Sequence, residues 1–408
     1  MPHCVKTKQL NLLDSPINTV ENKVYIGDNL DVLKIIEKES IDFIYIDPPY
    51  NTNNKFSYMD TNDKWSEDIE ARLFYAKEIL CKEGVICISI DDNELSSLLS
   101  VCYKIFEKKN YVGTFITKQS QRSNAKHINT IHEYVVVFAK NKMFLNSFYI
   151  KRVNIPDDGM MIKNIIKKVK DAFKQDKKTA HKVLTDLIKK YSLEKNINWI
   201  KNYCNLDDEG NIFFAKDLST PSTPHELYIP EINLYLPALR TRGWSTKEKF
   251  LKLYYNNRLC FKNGRPYEIQ YLNEAVDNIS SILDFYSRQG TNDLKKLNME
   301  GCFDTPKPVE LIKFLIRAML HRNAVIMDFY AGSGTTGQAV YEVNKEDNIS
   351  HKFILIQSKE KISTTSNVYY KLQELGILEP KISDVLLIRL DKYLAQNSMN
   401  KDFSVEEI

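Results

Sequence analysis

Two short segments of this chain carry the side chains best suited to chemistry. The first, Asp47-Pro48-Pro49-Tyr50, follows the almost wholly apolar stretch Ile41–Ile46. That stretch reads as a buried strand, and ligands of open α/β sheets gather at the carboxyl ends of such strands. Consecutive prolines stiffen the backbone, so the Asp47 carboxylate and the Pro48 carbonyl are presented as adjacent acceptors, with an aromatic face at Tyr50. Two acceptors beside a flat ring suit an exocyclic amino group on a planar heterocycle. Without that setting the tetrapeptide is only a stiff turn.

The second segment is Asp328-Phe329-Tyr330-Ala331-Gly332-Ser333-Gly334-Thr335-Thr336-Gly337. It lies between a strand expected at 324–329 and a helix expected from Thr335, where glycines allow a ligand close to backbone amides at a helix amino terminus. Gly332 to Gly337 has P-loop spacing, but Gln338 and Ala339 stand where Lys and Ser/Thr are required, which argues against a nucleoside triphosphate. The same residues satisfy G-x-G-x-x-G. That pattern by itself does not separate a nicotinamide dinucleotide from S-adenosylmethionine.

The elements that must hold these loops alternate in type. Strands are expected at 23–26, 41–46, 84–90, 114–117 and 134–139, with helices at 29–37, 69–80 and 93–106. Apolar strands separated by helices imply a parallel sheet covered on both faces. The rhythm lapses after Lys151 and returns at Lys307 with an amphipathic helix, the glycine loop and a strand at 352–356. The domains expected are an arm at 1–22, an α/β half at 23–150, an insertion at 151–301, and a second α/β half with an extension at 302–408. From Met161 to Asn202 there are twelve lysines against four acids, a solvated helix face or a phosphate-contacting surface.

Composition is that of a globular protein, with 408 residues, 43% hydrophobic, and a formal charge of +4. No apolar run approaches the ~18 residues of a spanning helix, and the amino terminus lacks a signal-peptide segment. A soluble cytoplasmic protein without membrane contact is expected. The seven cysteines include no C-x-x-C pair, so neither a disulfide framework nor a metal site is expected.

The two loops together resemble those of the DNA amino-methyltransferases of the permuted β class, and within them the modification subunits of type III restriction systems. The motifs occur in order: Tyr25-Ile26-Gly27-Asp28-Asn29-Leu30, Tyr45 to Thr52, Gly84 to Glu94, His132-Glu133-Tyr134, Arg242-Gly243-Trp244, Phe303 to Pro308, and the glycine loop. The resemblance implies a Rossmann-like α/β methyltransferase sheet, permuted and interrupted by an α+β target-recognition domain. In it the strand ending in Asp47 lies beside the strand ending in Asp328.

The activity so implied is methyl transfer from S-adenosylmethionine to adenine N6 of a base flipped from duplex DNA, with Asp47, Pro48, Pro49 and Tyr50 catalytic. Aspartate at the first position favours adenine over cytosine N4; cytosine C5 chemistry would need a Pro-Cys pair, which is lacking. Cofactor contacts are implied for Asp28, Thr305, Lys307, Asp328, Phe329, Ala331, Gly332, Ser333, Gly334, Thr335, Thr336 and Gln357. Lys307 and Thr305 are expected to hold the donor's carboxylate. Asp28 serves equally as a helix cap. Gln357 departs from the acid usual at its position, with Glu360 nearby as a substitute. DNA contacts are expected from Lys118, Arg122, Lys167, Lys168, Arg240, Arg242 and Trp244. The partners implied are double-stranded DNA, a second copy in a homodimer, and a restriction subunit supplying helicase and nuclease. An RNA methyltransferase would present a similar site, while the intact loops argue against an idle DNA-binding protein.

Overall fold

The computed structural model describes residues 21–52, 56–118 and 127–408. Two compact units emerge: residues Tyr149–Asn278 form one, and the chain on either side of them forms the other. The larger unit is built on β1 (Asn22–Ile26), α1 (Asn29–Ile35), β2 (Ile41–Ile46), α2 (Trp65–Ile79), β3 (Leu80–Ile90), α3 (Leu95–Phe106), β4 (Tyr111–Lys118) and β5 (His132–Ala139). After the insertion come β6 (Ile282–Tyr286), α4 (Arg288–Lys296), α5 (Val309–Met319), β7 (Val325–Asp328), α6 (Thr335–Asp347) and β8 (Lys352–Gln357). The chain continues through α7 (Asn367–Glu374), α8 (Ile382–Gln396) and β9 (Phe403–Glu407).

Nine strands form one sheet in the order β6-β4-β5-β3-β2-β7-β8-β1-β9. Alternate side chains of each strand enter opposite faces: Phe43 and Tyr45 of β2 join one apolar cluster with α5, α6 and α8, and Ile44 and Ile46 join the other with α1, α2 and α3. Both faces are covered, which is why the strands read as continuous apolar runs. The sheet is not wholly parallel. β5 pairs antiparallel with both β3 and β4, a reversal invisible in composition because its two faces are buried like those of its neighbours.

β2 and β7 pair in parallel, with Phe43 opposite Ile326 and Ile44 opposite Met327. Their connections leave in opposite directions across the sheet, so the loops after them flank a topological switch point. Sequence distance between the loops is thereby cancelled.

The smaller unit packs helices Pro156–Phe173 and Lys177–Glu194 through Ile162, Ile165 and Val169 against Ala180, Leu184 and Ile188. The second helix is capped by Asp176, whose carboxylate accepts from Thr179 N at 2.8 Å. A four-stranded antiparallel sheet contains strands Ile212–Asp217 and Arg265–Tyr271 at its centre. The insertion expected to run to residue 301 ends at 278: β6 and α4 belong to the larger unit. β6 is an edge strand with Ile282 and Tyr286 exposed, so it lacks the apolar signature that marks the interior strands.

Candidate active site

Asp47 emerges where β2 stops, and the turn after it is tied from several directions. Trp65 Nε1, at the start of α2, donates to Pro49 O at 2.6 Å. Asp60, 5% exposed, accepts from Tyr50 N at 3.0 Å, Thr52 N at 2.7 Å and Thr52 Oγ1 at 2.6 Å. Asn51 takes a positive φ of 59°, and its Nδ2 donates to Glu94 Oε1 at 2.8 Å. Among the described residues none of these bonds uses the Pro48 carbonyl oxygen. Asp60 stands ten positions after Tyr50, and no sequence signal links them.

The Asp47 carboxylate meets three other polar groups. Tyr50 Oη donates to Asp47 Oδ1 at 2.7 Å. Lys307 Nζ donates to that same Tyr50 Oη at 2.7 Å and to Glu133 Oε2 at 2.7 Å, and lies 3.3 Å from Asp47 Oδ1. The ammonium also stands 4.8 Å from the centre of the Tyr50 ring, within cation–π range. Burial pushes the Asp47 carboxyl above its usual range, opposed by Lys307 and by the Tyr50 hydroxyl and reinforced by Glu133. Burial alone would lower Lys307, but the Asp47 and Glu133 carboxylates outweigh it and hold the ammonium above its ordinary value. Tyr50, raised by burial and by Asp47, stays a proton donor.

Lys307, expected beside the donor's carboxylate, therefore has its ammonium in the Asp47–Tyr50–Glu133 cluster. Four charged or phenolic groups close together find their best pairing there, and only the Lys307 carbonyl touches the glycine loop, accepting from Thr335 Oγ1 at 3.3 Å. Glu133, of the His132-Glu133-Tyr134 motif, carries no role that its sequence position predicts. Tyr50 is engaged through its hydroxyl, which a purely stacking role does not require.

On the β7 side, Asp328 organises the loop. It accepts from Tyr330 N at 3.0 Å and Thr336 Oγ1 at 2.5 Å, and burial pushes it up to about 7. Gly332 and Gly334 have φ of 51° and 81°, a conformation that L side chains rarely adopt. A Cβ on Gly332 would stand 3.3 Å from the Phe303 ring, and one on Gly334 3.2 Å from Leu386 of α8. Backbone conformation and packing against the chain itself are thus enough to require glycine at both positions. Gly332 N donates to Gln357 Oε1 at 2.7 Å. Phe329, expected at the cofactor, has its ring 1% exposed in the core, while its carbonyl accepts from Asn29 Nδ2 at 2.7 Å.

Both loops line one cavity of about 280 Å³, together with Glu133, Phe303, Thr305, Lys307, Ser333, Thr335, Gln357 and Glu360. A second cavity, lined by Asp28, Arg72 and Phe329, shares Pro49, Met59, Asp60, Tyr330, Gln357 and Glu360 with the first. Asp28 caps α1 through Leu30 N at 2.8 Å and also pairs with Arg72 at 3.3 Å. Phe56 and Tyr58 line the first cavity, and Met59 and Asp60 line both. Ser57 N donates to Asp304 Oδ2 at 2.7 Å, Tyr58 Oη shares a bond with Thr305 Oγ1 at 3.0 Å, and Met59 N donates to Glu360 Oε1 at 2.5 Å. Tyr58 stacks between Phe56 and Phe303.

The residues expected at DNA divide differently. Lys167 and Lys168 are exposed on the helix Pro156–Phe173, and Arg240 is exposed. Arg242 is exposed but bonds Ser219 through Nε at 2.8 Å and Nη2 at 3.0 Å. Trp244 is core: it is 5% exposed, packs on Phe250, and donates Nε1 to Pro237 O at 3.0 Å. Its size and single donor are satisfied inside the insertion. Lys118 is paired with Asp284 and stands over the Tyr286 ring. Arg122 lies outside the described residues.

A family model described as DNA methylase matches residues 41–368, a span holding both loops and the whole insertion. The chain belongs to the DNA methylase family. It is 31% identical over 424 residues to the type II methyltransferase M.KpnI of Klebsiella pneumoniae, covering 97% of this chain and 92% of that one. It is 27% identical to the EcoP15I Mod subunit of Escherichia coli and to the EcoPI Mod subunit of Escherichia phage P1, both type III restriction-modification enzymes, covering 82% and 86% of this chain. The methylase spans 58% and 59% of those two subunits. Among its described residues no helix is long and apolar enough to cross a membrane, and no group of three or more His, Cys, Asp or Glu is arranged to hold a metal.

Proposed function

We propose that this methylase transfers the methyl group of S-adenosylmethionine to the N6 amine of an adenine flipped out of duplex DNA. One observation carries the reading: the Asp47 carboxylate and the glycine loop line the same cavity from neighbouring parallel strands. The donor set fits the cofactor in kind. Ser333 and Thr335 hydroxyls suit an amino-acid head, and Glu360, Gln357 and Asp28 offer acceptors for ribose hydroxyls and an adenine amine. When bound, the sulfonium supplies an electrophilic methyl group.

The work of the chain's own residues falls on the amine. Its lone pair is delocalised into the purine ring, and hydrogen bonds donated to Asp47 and to the Pro48 carbonyl favour a tetrahedral nitrogen whose lone pair is free. Burial and Glu133 raise Asp47, which strengthens it as an acceptor for the proton the nitrogen must lose. Lys307 keeps it from being neutralised too early. Tyr50 supports the base with its ring while its hydroxyl orients Asp47. An aspartate at the head of the turn favours adenine over cytosine N4.

The insertion serves target recognition, with Lys167, Lys168 and Arg240 offered to DNA. The names of the Mod relatives support a restriction-modification setting with a restriction subunit; a homodimer acting in the cytoplasm is part of the proposal. Asp47→Ala tests the core of the reading. With tritiated donor and duplex DNA, turnover is expected to vanish while donor affinity by calorimetry stays near wild type; near-normal turnover refutes the mechanism. Mass spectrometry of the digested product separates N6-methyladenine from N4-methylcytosine, and parallel RNA substrates test the nucleic acid.

A further inference from the structure

Below the glycine loop, α8 contributes a side chain that lies beyond the span matched by the family model. Arg389 is fully buried. Its Nε donates to Gln338 Oε1 at 2.8 Å, and its Nη1 donates to Ser333 Oγ at 2.9 Å and Thr335 Oγ1 at 2.7 Å. Nη2 is buried without a hydrogen-bond partner. Among the described residues no carboxylate pairs with the guanidinium. Glu342 is bonded to the Gln338 amide, which donates to its Oε1 at 2.9 Å, and both Glu342 and Asp293 act on the guanidinium at a distance.

A buried cation is costly unless an opposite charge or strong hydrogen bonds offset it. Here the offset is the Gln338 amide oxygen and two hydroxyls that themselves line the cavity. Each spends a lone pair on Arg389, so its own proton must turn elsewhere. Thr335 turns its proton to Lys307 O at 3.3 Å. The Ser333 proton has a long 3.4 Å contact to Thr335 Oγ1, and an anion in the cavity would be a better acceptor.

We propose that Arg389 is a positioning residue for the methyl donor: it fixes the Ser333 and Thr335 hydroxyls and lends its charge through them to a carboxylate held at the loop. This rests on the reading of the loop as the S-adenosylmethionine site, and the carboxylate is that of the donor's methionine part. α8 is then the source of a selectivity for the carboxylate that the G-x-G-x-x-G pattern does not encode. Leu386 and Leu390 of the same helix, packed where Cβ atoms on Gly334 and Gly337 would fall, hold the guanidinium in register.

The test compares S-adenosylmethionine with its decarboxylated analogue by calorimetry on the full chain, in wild type, Arg389→Met, Arg389→Lys and Ser333→Ala. Wild type is expected to prefer the carboxylated donor. Arg389→Met should lose about tenfold or more in affinity for it, in keeping with loss of a charge-assisted hydrogen bond, and less than twofold for the analogue. Arg389→Lys should recover part of the preference. Equal losses for both ligands would mark Arg389 as merely structural and overturn the proposal. So would a wild type indifferent to the carboxylate, which leaves the donor site itself standing. A wild type binding neither ligand overturns the donor reading as well. If Arg389→Met does not fold, Ser333→Ala decides: a selective loss supports the relay, and unchanged preference refutes it.

Discussion

Replacing Tyr50 with phenylalanine keeps the ring and removes the one atom that ties it to Asp47. A Tyr50 that only stacks on the base would tolerate this change. The geometry demands a different result, because Tyr50 Oη donates to Asp47 Oδ1 at 2.7 Å and accepts from Lys307 Nζ at 2.7 Å. A hydrogen bond to a charged group contributes roughly 1.5 to 3 kcal/mol, and one pKa unit corresponds to about 1.4 kcal/mol. Asp47 is already raised by burial, with the Tyr50 hydroxyl among the groups that pull it down. Losing that bond should raise Asp47 further, since the hydroxyl stabilises its charged form. The ionised carboxylate is the better acceptor, so activity is lost as pH falls through the Asp47 pKa. In Tyr50→Phe that acid limb moves to higher pH, and the rate at the optimum drops about tenfold. Single-turnover methyl transfer to duplex DNA between pH 5 and 9 gives both quantities. A Tyr50→Phe profile superimposable on wild type would refute the bridging role and restore stacking as the residue's whole contribution.

Asp60→Ala removes the anchor of the catalytic turn and should lower turnover roughly ten- to a hundredfold, the scale of an ångström-sized misplacement, with donor affinity little changed; wild-type turnover would show the turn to be self-supporting. Asp328 is raised from 3.8 to about 7, so the folded state holds this proton more tightly than the unfolded chain. Its contribution to stability is full below pH 4 and is lost as pH rises through 7. Urea titrations at pH 5 and 7.5 should show a decline in wild type that Asp328→Asn lacks, and parallel behaviour would place the ionisation elsewhere. Neutralising Lys167, Lys168 and Lys178 should weaken binding to all duplexes alike and flatten its salt dependence without altering the methylated sequence; a changed sequence would make them readers of bases.

The order of elements, the two loops and the family were legible in the residues, because each rests on local rules: apolar runs at strand length, prolines that stiffen a turn, glycines that permit positive φ. Asp47 and the glycine loop could be named for the same reason. What the chain does not spell out is which charges meet. Lys307 stands in a short motif near Thr305, and its partner depends on how β2 and β5 bring Asp47 and Glu133 to an ammonium 174 or more positions away in sequence. Asp60 and Arg389 carry no motif. Asp60 is a clamp because its carboxylate lies against the backbone of the turn, and Arg389 is buried because α8 packs across the glycine helix. The direction of β5 is not encoded in its composition because burial on two faces imposes one composition on strands of either direction, and Trp244 is ambiguous in sequence because an aromatic suits a core and a DNA surface equally well. Composition records that a side chain must leave water; only the packed structure determines which partner receives it.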